Sequence, residues 1–206
     1  MFTSDHGDML GNHRTVAKRL FYESSANIPL IILGTKDRPF TGGDEAGGNG
    51  SGDGSGAVDD RLMGLQDVMP TLLDMCGLDV PDSVDGFSMA GPRRRAHFHG
   101  EFGDGINAGR MIRDARHKLI YYPAGNLFQL FDLETDPREM TDLADDPAHG
   151  DTRTRLTGLL KAELYGSDLE WLKDGELVGL EGEPAAWEPY RHLHFQRGDG
   201  WPPSIK

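Results

Sequence analysis

Near Arg95 the hydrophobic period of this chain changes, and that change constrains the fold more than any other feature. Before it stands NIPLIILG, Asn27 to Gly34, where Pro29 opens a continuous apolar run from Leu30 to Leu33. A run without alternation suits a strand covered on both faces, as in parallel sheets. After Arg95, the segments RAHFHGEF, RMIRDARHKLIYYP and NLFQLFDL alternate or are rich in β-branched and aromatic residues. That pattern, with turns expected at Asp114-Ala115 and Ala124-Gly125, predicts an antiparallel sheet. The chain therefore reads as α/β, with an open α/β part over residues 1–92 and a small antiparallel-sheet part over residues 93–206. Two or three strands before residue 92 are too few for a closed parallel sheet, so the first part reads as incomplete.

The other segments fill in this division. MFTSDHG is the tail of a strand running into a loop, since Gly7 and Asp8 punctuate it at once. Residues 2–4 and 28–33 are expected as neighbouring strands of one mostly parallel sheet. Leu62, Leu65, Val68, Met69, Leu72, Leu73 and Met75 recur near a helical period, predicting a helix packed on that sheet and stopped by Gly77. Pro70 falls inside this pattern, so either two helices meet there or it occupies the first turn of the second. Residues 42–56, GGDEAGGNGSGDGSG, read as a flexible surface loop; the single GGNGSGD echo of a calcium-binding repeat lacks the stacked copies such a repeat needs. DTRTRLTGLLKAELYG predicts an amphipathic helix resting on the antiparallel sheet through Leu156, Leu159, Leu160 and Leu164. The stretch from Trp171 to Lys206 has no long period and is expected to lie across a domain, anchored by its aromatics.

The 206 residues carry a net charge of -13, which disfavours nucleic acid and anionic lipid as partners. No apolar run approaches a membrane span and no basic-then-apolar leader precedes Asp5, so a soluble protein is expected, with the cytoplasm favoured and an upstream leader left open. Cys76 stands alone in LLDMCGL, so no intrachain disulfide forms, and a buried core thiol is expected.

Chemistry concentrates in FTSDHGDMLG. Asp5 and His6 follow a strand end, where open α/β folds place their ligands. A carboxylate oxygen and an imidazole nitrogen side by side can share one divalent ion, or divide between an ion and a substrate oxygen. His13 lies one short loop further on. Lys18 could serve as a mobile point charge for an oxyanion, or simply be a solvated surface lysine.

TSDHGDMLGNH, then AKRLFYESSANIPLII, LQDVMPTLLDMCGL, VDGFSM, FHGEF, HKLIYY, LFQLFDLETDPREMTDLADDP, DGELVGL and QRGDGWPP occur here in order. This succession resembles the carboxy-terminal portion of a sulfatase of the arylsulfatase type, in the alkaline-phosphatase-like superfamily. The resemblance covers essentially residues 1–203. It implies an incomplete carboxy-terminal part of an alkaline-phosphatase-like sandwich over residues 1–92, followed by a small antiparallel sheet with a packed helix and a wrapping tail over residues 93–206.

It also implies one Ca²⁺ at the edge of the central sheet, held by two acidic residues near the enzyme's start and by a late pair that here is Asp5 and His6. Asp5 matches the metal ligand, and His6 a second ligand or a contact to the sulfate-bearing group. Lys18 matches the lysine that neutralises sulfate oxygens, and His13 a supporting position of the pocket. His99 and Glu101 match a segment that lines the substrate side, or are structural. The substrate implied is a sulfate-ester small molecule or carbohydrate.

The family's nucleophile is a formylglycine made in a C/S-x-P/A-x-R motif, which does not occur in these residues; Cys76 precedes Gly77-Leu78-Asp79 and does not fit it. The first acidic metal pair is missing too. The expectation is an enzyme portion inactive alone, either a truncated gene product, a degraded copy, or one half of a split enzyme completed by a separately encoded amino-terminal half. The alternatives are a phosphonate or phosphate ester hydrolase of the same superfamily, and a non-enzymatic remnant or interaction module. If a half is missing, the run Leu30 to Leu33 should be poorly covered.

Overall fold

A computed structural model describes residues 1–16, 18, 20–34 and 58–182, so the glycine-rich loop 42–56 and most of the tail, residues 183–206, lie outside the described residues. The chain divides into two compact units, one of residues 1–5 and 29–96, the other of residues 6–28 and 97–206. Among the described residues no helix is long and apolar enough to cross a membrane.

In the first unit, β1 (Phe2–Thr3) pairs with β2 (Leu30–Ile31), as Phe2 with Ile31 and Thr3 with Leu30. The two are neighbours as expected, but they run antiparallel, which corrects the parallel reading. A parallel pair needs a crossover element laid on its own sheet. The intervening residues 6–28 pack instead with the second unit and hold only a 3₁₀ turn (Asn12–Arg14) and a single helical turn (Glu23–Ala26). As expected, Leu30, Ile31 and Leu33 are exposed.

Helix α1 (Val68–Met75) follows a 3₁₀ turn, Leu65–Asp67, and Pro70 sits in its first turn, where the missing N–H costs nothing. It stops at Gly77, whose φ of 71° lets the Leu78 N–H reach the Leu73 carbonyl and the Gly77 N–H reach that of Asp74, both at 2.9 Å. Its buried residues are Pro70 and Thr71, whereas Met69 and Leu72 face outward. Cys76 is also exposed, correcting the expectation of a core thiol, because it lies past the helix's last turn and beyond the buried face.

The interior of this unit sets a polar network beside buried Phe87 and Met89. The Asp67 carboxylate, fully buried, accepts from the Gly64 and Phe87 N–H groups at 2.9 and 3.0 Å and from both Arg95 terminal nitrogens at 2.6 and 2.7 Å. Thr71 Oγ1 donates to the Asp67 carbonyl and accepts from the Met89 N–H. At Gly86 any side chain would collide with the Gln66 carbonyl, 2.0 Å from where a Cβ would stand. The MPTLL and VDGFSM stretches thus lock one another by hydrogen bonds.

The second unit is built on a four-stranded meander of β3 (Phe98–Phe102), β4 (Gly109–Arg113), β5 (His117–Tyr122) and β6 (Leu127–Asp132), each strand antiparallel to the next. Two of the three turns fall where the sequence places them, and the third, between β3 and β4, holds a 3₁₀ turn, Gly105–Asn107. Asp114 Oδ1 accepts from the Arg116 and His117 N–H groups, and Gly125 and Asn126 take left-handed backbone after Ala124. One face, with Ile112, Leu119, Tyr121 and Leu130, packs on α2 (Gly150–Glu163) through Leu156 and Leu160 and on Trp171. The other face, with Met111, Ile120, Tyr122 and Phe131, is covered by Met9, Leu20, Phe21 and Tyr22. A hairpin of β7 (Leu172–Lys173) and β8 (Glu176–Leu177) follows Trp171, turning through Asp174 and Gly175 at φ 53° and 79°. With 1% of its surface exposed, Trp171 anchors the start of the tail.

Candidate functional site

The loop after β1 is fixed by a glycine that cannot be replaced. The Gly7 N–H donates to the Ser25 carbonyl at 2.8 Å, and a Cβ on Gly7 would stand 2.1 Å from the Ser24 carbonyl oxygen. This contact ties the loop to the turn Glu23–Ala26. Beyond it, Leu10, His13 and Arg14 have φ between 47° and 57°, a left-handed conformation that costs a side-chain-bearing residue roughly 1–2 kcal/mol. Such strain persists where its surroundings over-determine it, and it gathers at functional loops.

His6 is half-buried, and its Nδ1–H donates to the Gly7 carbonyl at 2.7 Å. That bond leaves Nε2 as the lone-pair nitrogen, and the Lys18 ammonium donates to it at 2.7 Å. The structure thus brings together two of the predicted residues, twelve apart in sequence. A histidine whose second nitrogen is tied to a backbone carbonyl is also what a metal ligand requires. His6 can offer Nε2 to Lys18 or to a cation, one at a time. Asp5, exposed, supplies a carboxylate beside it in the chain. Ca²⁺ takes six to eight oxygen ligands, and among the described residues no three His, Cys, Asp or Glu side chains are gathered to hold an ion. Asp5 and His6 fit a partial donor set.

His13 is held differently. Its ring stacks on Tyr22 at 3.9 Å between centroids and 6° between planes, and its Nε2–H donates to the Arg138 carbonyl at 3.1 Å. The Tyr22 hydroxyl donates to Gln129 at 3.1 Å, and burial, partly offset by that bond, pushes its pKa up to about 12.

Next to Tyr22 lies a cluster that the sequence reading missed. Lys118, 1% exposed, donates to the Phe21 carbonyl at 2.7 Å, to Glu23 at 2.5 Å and to Glu139 at 2.7 Å. Arg113 also pairs with Glu23, at 2.9 Å. Burial works to raise the Glu23 carboxyl, but Lys118 and Arg113 together hold it below its ordinary value. The available signal was Lys118 itself, a charge inside the apolar strand HKLIYY.

His99 and Glu101 are not brought to this loop. Alternation along β3 points them to the α2 side of the sheet, while Gly100 between them faces Phe21 and Met111. Burial lowers the His99 pKa against the opposing pull of Glu163 and Glu101, and its Nε2 is enclosed without a hydrogen-bond partner among the described residues. Glu101 accepts from the Tyr165 hydroxyl at 2.9 Å. It lines an open cleft of about 500 Å³ with Asp104, Tyr165, Ser167 and the buried Arg110–Asp168 pair.

Over most of its length the chain is similar to known proteins. The family model for the C-terminal region of N-sulphoglucosamine sulphohydrolase matches residues 53–165. An arylsulfatase from Clostridium perfringens is 33% identical over 192 residues, spanning 90% of this chain and 37% of its own length. The chain thus spans well under half the length of that relative. Among solved structures, a 2-O GAG sulfatase superposes over 89% of this chain and 42% of its own with a TM-score of 0.65 at 27% identity. The phosphonate monoester hydrolase of Agrobacterium radiobacter superposes over 88% of this chain and 38% of its own, with a TM-score of 0.58 at 27% identity.

Proposed function

This chain belongs to the sulfatases of the arylsulfatase type, as a carboxy-terminal domain of the alkaline-phosphatase-like fold, and we propose that it supplies the late metal-site and sulfate-binding residues of a sulfate-ester hydrolase. The observation that carries the reading is the Lys18–His6 contact at 2.7 Å, on a glycine-locked, strained loop directly after Asp5.

Sulfate-ester cleavage leaves an alkoxide or phenolate and passes charge through the sulfuryl oxygens. An ammonium aimed at those oxygens stabilises that charge where it develops. Lys18 fits that role, since its exposed amine can turn from His6 to a sulfate oxygen while keeping its charge. The Asp5 carboxylate and His6 Nε2 would hold the Ca²⁺ together with acidic residues outside this chain. When bound, the ion supplies Lewis-acid polarisation of the sulfuryl group. His13 supports the pocket wall, and Glu101 and His99 serve the substrate side only if substrate reaches the α2 face of the sheet. The nucleophile, a formylglycine, would come from an amino-terminal half. The division into a catalytic portion over residues 1–92 and a subdomain over residues 93–206 belongs to the same reading. Its substrate class is a sulfated carbohydrate or small ester, as the 2-O GAG sulfatase is named for.

Calorimetric Ca²⁺ titration tests the half-site. The chain alone should bind weakly, and tight binding should appear with an amino-terminal sulfatase half added. Asp5→Ala should then abolish both metal binding and turnover, whereas Lys18→Ala should keep the metal and lower turnover. Tight Ca²⁺ binding by the 206 residues alone would end the half-site reading. The likeness to a phosphonate monoester hydrolase supports a second reading, in which the same groups serve a phosphonate ester. Assay of the completed enzyme with aryl sulfate and aryl phosphonate separates the two.

A further inference from the structure

The stretch LFDLETDPRE ends in a turn that the proposed chemistry leaves unused, yet two of its groups reach the candidate site. Glu139 is buried, 3% exposed, and held at φ 57°, a left-handed conformation unfavourable to glutamate. One carboxylate oxygen accepts from Lys118 at 2.7 Å and the other from the Glu23 backbone N–H at 2.6 Å. One residue earlier, the Arg138 carbonyl accepts the His13 Nε2–H. Immediately before Glu23, the Tyr22 ring stacks on His13. Glu139 therefore fixes both walls of the His13 seat, the carbonyl through its own backbone and the aromatic ring through Glu23.

We propose that Glu139, clamped by Lys118, is a positioning residue that holds His13 in its Nε2–H tautomer against Tyr22. The proposal rests on the reading of His13 as a pocket residue. Stability alone does not call for this arrangement, because apolar residues of similar volume often replace a buried ion pair without loss. The geometric requirement explains it better. Two donors, an ammonium and a backbone N–H, converge on Glu139, and a carboxylate is the side chain that can accept from both. An amide has one acceptor oxygen, so glutamine here would set its NH₂ against one of the two donors.

The test is long-range ¹H–¹⁵N imidazole spectroscopy on the full chain, with the Trp171 indole N–H, on the opposite face of the sheet, as the fold control. Wild-type His13 should show a single Nε2–H tautomer with ring protons shifted upfield by Tyr22. In Glu139→Gln the upfield shift should be lost and the two tautomers should average, while the Trp171 signal stays in place. Glu139→Asp keeps the charge but cannot span both donors, so it should lose the same signature and covers the case in which Glu139→Gln does not fold. An unchanged His13 signature in a folded variant overturns the proposal. Unfolding of both variants also overturns it, since Glu139 would then serve stability alone. Inorganic sulfate added to the wild type completed with an amino-terminal sulfatase half and Ca²⁺ reports separately on the functional reading: if it leaves the His6 and His13 signals unmoved, that reading fails while the Glu139–His13 link stands on its own result.

Discussion

The two compact units are stabilised by different means. In the unit of residues 6–28 and 97–206, a sheet is covered on both faces by apolar side chains, with Ile112, Leu119, Leu130, Leu156 and Leu160 all at 0% exposure. In the unit of residues 1–5 and 29–96, buried Asp67, Thr71 and Arg61 stand beside buried Phe87 and Met89, half-buried Arg95 pairs with Asp67, and Phe2, Ile31, Met69 and Leu72 are turned outward. The first of these packs apolar side chains on both sheet faces and also encloses the Lys118–Glu139 and Arg110–Asp168 pairs. The second is cross-linked by hydrogen bonds around Asp67 and Thr71 and leaves several of its apolar residues exposed. Such residues stabilise a fold only when something covers them.

The largest expected effects come from removing one member of a buried charge network in each unit. Lys118→Met leaves Glu139 enclosed without its cation and Glu23 with Arg113 alone, and Asp67→Ala removes the carboxylate of Arg95 and the acceptor of two backbone N–H groups. Each should cost about 3–5 kcal/mol. Hydrogen exchange should place the first loss at the Leu119 and Tyr121 amides and the second at Phe87 and Gly64. If Asp67→Ala instead loosens the sheet amides, the units do not unfold separately and the contrast is broken.

Next in size is Leu160→Ala, expected to cost about 2–5 kcal/mol because it opens a cavity between α2 and the sheet. Denaturant melting followed at the Trp171 indole reads it directly. A loss under 1 kcal/mol would mean that the core of this unit is not close-packed.

Acidification gives a smaller effect. Burial lowers the His99 pKa below its ordinary 6.5, so the unfolded chain binds more protons there, and stability should fall as pH drops from about 6.5 through the folded value. A second loss should begin below about 4.5, as Glu23, held below that value in the fold, becomes protonated. Thermal melting between pH 8 and 5.5 should show the first decline in the wild type and a flatter profile in His99→Gln. Equal slopes would remove His99 as its source.

The smallest effect sharpens the comparison most. Leu72→Ser, chemically as severe as Leu160→Ala, should change the stability of this chain by no more than about 0.5 kcal/mol, because Leu72 is 44% exposed. The same substitution should weaken assembly with an amino-terminal sulfatase half, measured as a faster dissociation rate. A large loss of stability in the chain alone would show that Leu72 is covered in solution.

Local order determined what the sequence could reveal. The alternation after Arg95 gave the meander and two of its three turns, the leucine spacing gave α2, and Gly77 marked the end of α1, because each depends on residues close in the chain. The ordered motifs gave the family. Asp5 and His6 were legible as a candidate pair because they are adjacent.

Other features depended on residues far apart. The strand pair β1 and β2 turned out antiparallel because residues 6–28 pack with the other unit and provide no crossover on that sheet. The leucines of α1 carry the right period, but a period says which residues share a face and not whether that face is covered. His99 and Glu101 lie within FHGEF, yet alternation along β3 and the packing of both faces separate them from the Lys18 loop. Lys118 and Glu139 are 21 residues apart, and both lie about a hundred from Glu23. A buried ammonium needs all of its acceptors at once, and only the folded chain brings them within hydrogen-bonding distance.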